Sequence, residues 1–274
     1  MWLDPEGGTF MAGARAEGEA KKSYEGRESG MVQVIERAAR MLWVLRDHPA
    51  GLSLSGLAKE TGLARSTVHR IVATLESERF VSSVGPSGKV RLGLGLATLG
   101  AAVNTDLRKE LRPYLDGLSL EIDETVDLAV LDKDKALFID QVSSPQRLQA
   151  VSGIGVTFPL HCTANGKAML ALLPEDQLKP LVPPRLEAFT PRTKTSGVDL
   201  LVELAEIRAT GLAFDLEEHD TGICAIGAAF RDSSGAIAAI SIPIPSIRFY
   251  GNEERLSRAV EKTASAIRRY FATL

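Results

Sequence analysis

Cysteine is scarce in this 274-residue chain, which contains only Cys162 and Cys224. Two cysteines cannot form a disulfide framework, and they fit a protein kept in a reducing compartment. Long apolar runs are missing too, since none approaches the roughly 18 residues of a membrane-spanning helix. The first residues lack the basic segment and apolar core of a secretory signal. We therefore expect a cytoplasmic protein that does not bind a membrane.

Motifs for cofactors and catalysis are also lacking. No Gly-rich phosphate-binding loop occurs, and the two cysteines with His161 and His219 match no common zinc spacing. Neighbouring residues on a strand point to opposite faces, so the adjacent pairs His161–Cys162 and Glu217–Glu218 are poor catalytic pairs. For Glu217–Glu218 we expect exposure to solvent. The sequence predicts no metal, no cofactor and no catalytic residue.

Charge is distributed unevenly along the chain, although the net charge is only −3. Residues 1–30 carry four basic and six acidic side chains, residues 31–95 carry nine and five, and residues 96–274 carry 19 and 24. The length suggests two domains, each large enough for its own core. A basic first domain joined to an acidic second one is typical of a DNA-binding domain attached to a body with another task.

Residues 52–78 carry the pattern of a helix-turn-helix. Ser53 is a favourable N-cap for a short helix over Leu54–Thr61, and Gly62 is a typical residue to end it. A second helix is predicted from Arg65 to Glu78, because its apolar residues recur along one face at helical spacing. These apolar residues are Val68, Ile71, Val72 and Leu75.

A predicted β-hairpin follows directly, since Phe80–Val84 and Lys89–Leu92 are β-prone runs around a Gly/Pro turn. A hairpin after a recognition helix is a wing, whose basic residues meet phosphates. The polar-to-basic face of the second helix suits base recognition in the major groove. Ser66 and Thr67 are equally candidates for helix caps. The predicted DNA-binding residues are Arg65, Ser66, Thr67, His69, Arg70, Lys89 and Arg91.

Three stretches of the chain resemble the IclR family of bacterial transcriptional regulators, in the family's order. The first reads LAKETGLARSTVHRIVATLESERFV, continued by VRLGLGLATLG. The second reads LHCTANGKAMLALLP at Leu160–Pro174, and the third reads GLAFDLEEHDTGICAIGAAF at Gly211–Phe230. The resemblance covers about residues 31–274. It implies a winged helix-turn-helix, a GAF-like effector-binding domain, and a homodimer or dimer of dimers (a homotetramer).

The second domain begins at about Asp106 with a helix that contains Pro113, where we expect a kink. Strands are predicted in antiparallel pairs, and helices fit the segments between and after them. The fold class is therefore α+β with two domains, the second having a mainly antiparallel sheet flanked by helices. The predicted strands are Thr125–Leu131, Ala136–Val142, Leu148–Val151, Cys224–Phe230 and Ala236–Pro243; the predicted helices are Thr163–Leu172, Pro174–Leu181, Val198–Ala209 and Glu253–Phe271.

The loop at Thr163–Lys167 leads from a strand-like segment into a helix, whose free N–H groups suit a carboxylate. Capping by Thr163 explains the same loop without a ligand. The resemblance implies that this loop holds a small carboxylate-bearing effector. Two departures from the family, Ala225 in place of a polar or thiol side chain and Pro243 in place of a serine, predict a less polar pocket. The effector-binding residues implied are Ala164, Asn165, Asp215, Ile223, Ala225 and Ser241.

The domain prediction is a flexible tail at 1–30, a winged helix-turn-helix at 31–93, a linker helix at 94–105 and an effector-binding and oligomerisation domain at 106–274. The predicted function is a sequence-specific regulator, repressor or activator, that binds operator DNA under control of a carboxylate metabolite. A less polar pocket favours an aromatic or medium-chain acid. Two alternatives stay open. One is a small-molecule enzyme with an incidental helix-turn-helix, and the other is a DNA-binding protein with a purely structural second domain.

Overall fold

The computed structural model describes residues 32–84, 88–102 and 106–273. The chain divides after Thr105 into two compact units. The tail predicted at 1–30, the centre of the predicted wing turn and the end of the predicted linker helix lie outside the described residues. The α+β two-domain class, with an N-terminal helix-turn-helix, is confirmed.

Three helices and a hairpin build the apolar core of the N-terminal unit, and a fourth helix follows the hairpin. Ser53 caps α2 by accepting a hydrogen bond from the Gly56 amide at 3.1 Å, and Gly62 ends the helix at a φ of +68°. The predicted stripe of α3 is buried against α1 and α2. The elements are α1 (Gln33–Arg46), α2 (Leu54–Thr61), α3 (Arg65–Ser77), β1 (Val81–Val84), β2 (Lys89–Leu92) and α4 (Leu94–Ala102).

The C-terminal unit contains a six-stranded sheet in the order β5-β4-β3-β8-β7-β6, and all neighbouring strands are antiparallel. Helix α5 passes through Pro113, and its core-facing leucines are buried. The unit consists of α5 (Asp106–Ile122), β3 (Val126–Asp132), β4 (Lys135–Val142), β5 (Thr157–Pro159), α6 (Ala164–Ala171), α7 (Glu175–Leu178), a 3₁₀ turn (Lys179–Leu181), α8 (Gly197–Thr210), β6 (Ala213–Leu216), β7 (Ile223–Arg231), β8 (Ile237–Pro245), α9 (Ser246–Phe249) and α10 (Glu253–Ala272).

Both faces of this sheet are covered, which explains why β7 and β8 are almost entirely apolar. One face packs on α5 and α10 through residues such as Leu128, Ile226 and Ile242. The other face packs on α6 and α8 through Ala129, Ala229 and Ala239. The small residues on this second face let α6 approach the sheet closely.

One strand prediction was wrong. Residues 148–151 form no strand, and Leu148 and Val151 are exposed. The strand that pairs with β4 is instead β5, at Thr157–Pro159. Local composition suggested a strand at 148–151. Whether a segment joins a sheet depends, however, on contacts with residues distant in sequence more than on the local pattern.

Candidate DNA-binding surface and effector site

The predicted base-reading residues share the solvent-facing side of α3. Arg65, Ser66, His69 and Arg70 are exposed and Thr67 is half-buried. The helix begins at Arg65, and Ala64 occupies its N-cap position. Ser66 and Thr67 therefore lie inside the helix, so the reading of these two residues as caps was wrong.

The wing presents two basic side chains on one side. Register pairs Val84 with Lys89 and Ser82 with Arg91, and both basic residues are exposed. Val90 lies between them, points inward and is buried. The amide of Leu52 donates to the carbonyl of Val90 at 2.9 Å, and the amide of Val90 donates back at 2.8 Å. The wing is thereby anchored to the segment before α2.

The recognition helix and the wing are also joined by a side chain. The Ser83 amide on β1 donates to Oε1 of Glu76 in the last turn of α3 at 2.9 Å. Glu76 is the first acid on the polar side of α3. Its carboxylate is thus used inside the unit and fixes the wing strand relative to the helix.

All predicted effector residues lie on one side of the C-terminal sheet. Ala225 on β7 pairs with Asp215 on β6, and Ser241 on β8 pairs with Gly227 on β7. Cross-strand partners and alternate residues of a strand share a face, so Ile223 belongs to this face as well. We call it the effector face. Asp215, Ala225 and Ser241 are buried and Ile223 is half-buried.

Helix α6 starts directly over the effector face. A Cβ atom at Gly227 would lie 3.0 Å from the Ala164 carbonyl carbon and 3.2 Å from the Asn165 nitrogen. Only glycine permits this approach without displacement of the helix. Thr163 caps α6 by accepting from the Gly166 amide at 3.2 Å, as predicted. Ala164 and Asn165 are thus brought together with the strand residues, as the site prediction required.

Asn165 has the most informative environment of the site. The residue is 2% exposed, and neither its Nδ2 nor its Oδ1 has a hydrogen-bond partner among the described residues. Leaving a buried polar group unsatisfied costs about 1–3 kcal/mol, and such groups are rare in native proteins. A donor and an acceptor are therefore available at the start of α6.

Asp215 lies within β6. Its Oδ1 accepts from the amides of Glu218 at 2.7 Å and His219 at 3.4 Å, so the carboxyl group organises the following turn. Burial raises the pKa of Asp215 from 3.8 to about 7, against the lowering effect of the Glu218 amide. Near neutral pH this group is therefore both a hydrogen-bond donor and an acceptor.

A buried ion-pair network beside the site was missed by sequence reasoning. The Lys167 side chain is fully buried, and its Nζ contacts Glu218 and, at 2.7 Å, Oε1 of Glu203. Burial disfavours the charged lysine, but the carboxylates of Glu218 and Glu203 outweigh it and raise the pKa of Lys167. The expectation that Glu217–Glu218 is exposed was wrong, because Glu218 is 4% exposed and Glu217 is half-buried.

A second buried carboxyl group, Asp127, was also missed. It pairs across β3 and β8 with Ser241 and accepts hydrogen bonds from Nε2 of Gln141 at 2.6 Å and Oγ of Ser152 at 2.5 Å. Burial raises its pKa from 3.8 to about 6, although both hydrogen bonds lower it. The available signal was an aspartate between Val126 and Leu128, in a run that is otherwise apolar as far as Leu131.

Aromatic rings pack around His219, four residues after Asp215. The His219 ring stacks on Phe158 at a centroid distance of 4.4 Å and on Phe189 at 5.4 Å. Phe158 in turn meets Phe138 edge-on at 4.9 Å. These contacts surround the turn after β6 with flat apolar surfaces.

The two cysteines do not form a reactive site. Burial raises the pKa of both thiols, which keeps them protonated. Cys224 lies on the sheet face opposite Ala225, in the core against α5 and α10, so it does not replace the missing thiol of the effector face. Among the described residues, no group of three or more His, Cys, Asp or Glu side chains is arranged to hold a metal ion. Within the same ranges, no helix is long and apolar enough to cross a membrane.

A winged helix-turn-helix joined to an α+β unit with polar groups buried at a helix start defines the class of ligand-responsive DNA-binding regulators. Residues 34–85 match the IclR helix-turn-helix domain, and residues 99–269 match the description "Bacterial transcriptional regulator IclR C-terminal". The chain belongs to the IclR family and is a transcriptional regulator with a helix-turn-helix and an effector domain.

Several characterised relatives cover most of the chain. The HTH-type transcriptional regulator Rv1719 of Mycobacterium tuberculosis is 46% identical over 89% of this chain and 94% of its own. TtgV of Pseudomonas putida is 38% identical over 88% and 93%, and the repressor IclR of Escherichia coli is 34% identical over 80% and 82%. These relatives are named as transcriptional regulators.

Solved structures agree on the fold. An IclR homologue from Microbacterium hydrocarbonoxydans, solved with 4-hydroxybenzoate, aligns with a TM-score of 0.79 at 22% identity and covers 88% of this chain and 100% of that one. The regulator from Alicyclobacillus acidocaldarius aligns with a TM-score of 0.77 at 25% identity and covers 88% and 99%. At 22% identity, the first of these comparisons supports the fold alone.

Proposed function

We propose that this protein binds an operator through α3 and the wing, and that a carboxylate metabolite bound at the start of α6 controls this binding. Arg65, His69 and Arg70, with Ser66 and Thr67, read or approach the bases, and Lys89 and Arg91 hold the phosphate backbone. This assignment rests on their exposure on one helix side and one wing edge. The protein works as a homodimer or a dimer of dimers, because operators with two half-sites require at least two heads.

The observation that carries the effector proposal is the unsatisfied amide of Asn165. The first turn of a helix also leaves backbone N–H groups without acceptors, here those of Ala164 and Asn165. A carboxylate placed there accepts from these N–H groups and from Nδ2 of Asn165. The site thereby offers several donors to one anionic group, which is the environment that a small acid requires.

The remainder of the site supports an effector with an apolar body. Ala225 and Ile223 offer no polar side chain, and Pro243, the partner of Ala225, has no N–H to donate. Asp215, with one oxygen engaged by backbone amides, keeps the other for an effector hydroxyl or a water. The Ser241 hydroxyl can donate to a carboxylate oxygen. An aromatic or medium-chain acid suits this mixture, and the 4-hydroxybenzoate complex of a fold relative is consistent with it.

Control of DNA binding needs an effector that prefers one arrangement of the subunits over another. We assign the transmission of this preference to the linker at 94–105, of which α4 is the described part. The assignment follows from its position between the two units in the chain. Binding of effector then changes the spacing of the two DNA-binding heads.

The test is a thermal-shift screen of the full-length protein, since a ligand of the folded state raises the melting temperature. Benzoate and 4-hydroxybenzoate are compared with medium-chain acids and with benzamide, which lacks the carboxylate. We expect a carboxylate to raise the melting temperature and to change operator affinity in fluorescence anisotropy. Both effects should be lost in Asn165→Ala and Asp215→Ala and kept in Asp134→Ala, which alters an exposed turn.

Equal shifts with benzoate and benzamide would refute the carboxylate assignment. A shift that survives Asn165→Ala would place the ligand elsewhere. If no acid changes the melting temperature, the proposed effector class is wrong, while the family membership and the DNA-binding unit are unaffected.

A further inference from the structure

A cleft lies at the opposite end of α6 from Asn165. It has a volume of about 310 Å³ and is bounded by the ends of α6 and α8, by β7 and by α10. Alanine, leucine, isoleucine and glycine build most of its wall. Its charged lining residues are Arg208 and Arg268, and none of the residues that line it is acidic. We call it the arginine cleft.

Arg268 is fixed at the edge of the sheet. Strand β6 pairs with β7 only as far as Gly227. Beyond that point, Nε and Nη2 of Arg268 both donate to the Ala229 carbonyl, at 3.2 and 2.9 Å. A guanidinium has five N–H donors, so most of its donors remain for another acceptor. Burial lowers the pKa of Arg268, and the carboxylate of Glu261 offsets this only in part.

Gly211 keeps the guanidinium of Arg268 accessible. It ends α8 at a φ of +76°, and a Cβ atom there would come within 3.7 Å of Nη2 and 3.8 Å of Nη1. Glycine is favoured at this position by its left-handed backbone conformation. Because Gly211 has no side chain, it does not cover Nη1 and Nη2 of Arg268.

Arg208 contributes a second guanidinium. Its Nε donates to the carbonyl of Ala171 at 2.9 Å, while its Nη groups have no protein acceptor among the described residues. Capping the end of α6 accounts for the Nε contact. The neighbouring Arg231, which donates to the Leu172 carbonyl at 2.9 Å, caps the same helix end without lining the cleft. Helix capping therefore accounts for the position of Arg231. It accounts for only one of the donor groups of Arg208, and for none of those of Arg268.

We propose that the arginine cleft is a second ligand site, separate from the effector face, that binds a phosphate or carboxylate group of a small metabolite between Arg208 and Arg268. Paired guanidinium groups with free N–H edges match the planar or tetrahedral oxygens of such groups. Neither guanidinium forms a salt bridge with an acidic side chain of the described chain, and the apolar wall suits a short hydrocarbon body.

Inorganic phosphate is the first probe. The melting temperature of the full-length protein is followed against phosphate at constant ionic strength, which is balanced with sodium chloride. In Arg208→Gln/Arg268→Gln we expect the apparent dissociation constant to rise at least about tenfold, as for the loss of charged hydrogen bonds. Arg231→Gln is the matched control and should stay within about twofold, since it removes the same charge outside the cleft.

Two further variants keep the result decisive. Arg208→Lys/Arg268→Lys retains both charges but loses the planar fork, so it should bind phosphate more weakly than the natural protein. Asp134→Asn should bind phosphate normally, because it alters only an exposed turn outside the cleft and the effector face. The proposal is overturned if all variants respond alike to phosphate. It is also overturned if phosphate acts by dissociating oligomers in light scattering, since the cleft would then receive a carboxylate of a second copy.

Discussion

The two units place their functional side chains in opposite environments. In the N-terminal unit, the residues proposed to bind DNA are exposed, apart from the half-buried Thr67, and mostly basic, and the apolar stripe beneath them holds the fold. In the C-terminal unit, Asn165, Asp215 and Ser241 are buried, and charged groups such as Lys167 belong to the interior. Substitutions should therefore separate function from stability in the first unit and couple them in the second.

The largest expected effect of this difference is on stability. Lys167→Met leaves the buried carboxylate of Glu218 without its partner, which should lower the free energy of unfolding by about 3–5 kcal/mol, whereas Glu203 keeps Lys194. Lys59→Met, at an exposed position of α2, should change it by less than about 0.5 kcal/mol. Urea unfolding followed by circular dichroism measures both.

The network can be tested further by neutralising its buried acid. Lys167→Met/Glu218→Gln removes the uncompensated charge of Glu218, while Glu203 keeps its ion pair with Lys194 at 2.6 Å, and should recover part of the lost stability. If Lys167→Met does not change the free energy of unfolding, the ion pairs are not needed for the fold. The proposed coupling of buried charge to stability in the C-terminal unit would then be wrong.

A smaller effect is expected from pH. Asp127 and Asp215 have an ordinary pKa of 3.8 when unfolded, and burial raises it to about 6 and about 7. Between these values the folded protein keeps protons that the unfolded chain releases, so stability should fall as the pH rises from about 4 to about 7. For Asp127 the loss is on the order of 3 kcal/mol.

Asp127→Asn and Asp215→Asn should each flatten this dependence, because the amides do not titrate. Urea unfolding over this pH range measures it, with Asp134→Asn on an exposed turn as the control. An unchanged slope in both buried variants would mean that neither carboxyl group is protonated in the folded protein.

The smallest stability effects, but the clearest functional ones, are expected at α3 and the wing. Arg65→Ala should cost about 1–3 kcal/mol of operator affinity and relax the preference at one base pair. Lys89→Ala should weaken binding to all sequences alike and reduce the salt slope by about one. Neither should alter thermal unfolding by more than about 0.5 kcal/mol.

Anisotropy titrations on operator variants at several salt concentrations distinguish these outcomes. Equal loss of affinity on every sequence in Arg65→Ala would move that residue from base reading to phosphate contact. A melting temperature lowered strongly in Lys89→Ala would show that the wing residue also supports the fold.

Sequence reasoning succeeded where local rules decide the structure. Ser53 and Gly62 delimit α2, and helical spacing identifies the buried side of α3, because caps and periodicity act within a few residues. Family resemblance supplied Asn165, Asp215 and their neighbours, and the structure places them on one face. It did not supply Asp127, Lys167 or Glu218 as buried groups.

These misses have a common physical cause. Burial of Asp127 depends on a helix layer on the second face of the sheet, and burial of Glu218 depends on Lys167, 51 positions earlier in the chain. The false strand at 148–151 failed for the same reason, since β4 takes its partner from 157–159. Each depends on a contact between segments that are distant in sequence.

The hydrogen bond between Ser83 and Glu76 has a consequence for how such regulators diverge. It couples α3, the helix proposed to recognise bases, to β1 of the wing, so that α3, β1 and β2 act as one mechanical cassette. If only the exposed face of α3 is exchanged between relatives, the new helix will not fit the hairpin of the recipient protein. New operator preferences should therefore be transplanted most successfully when the whole cassette is moved together.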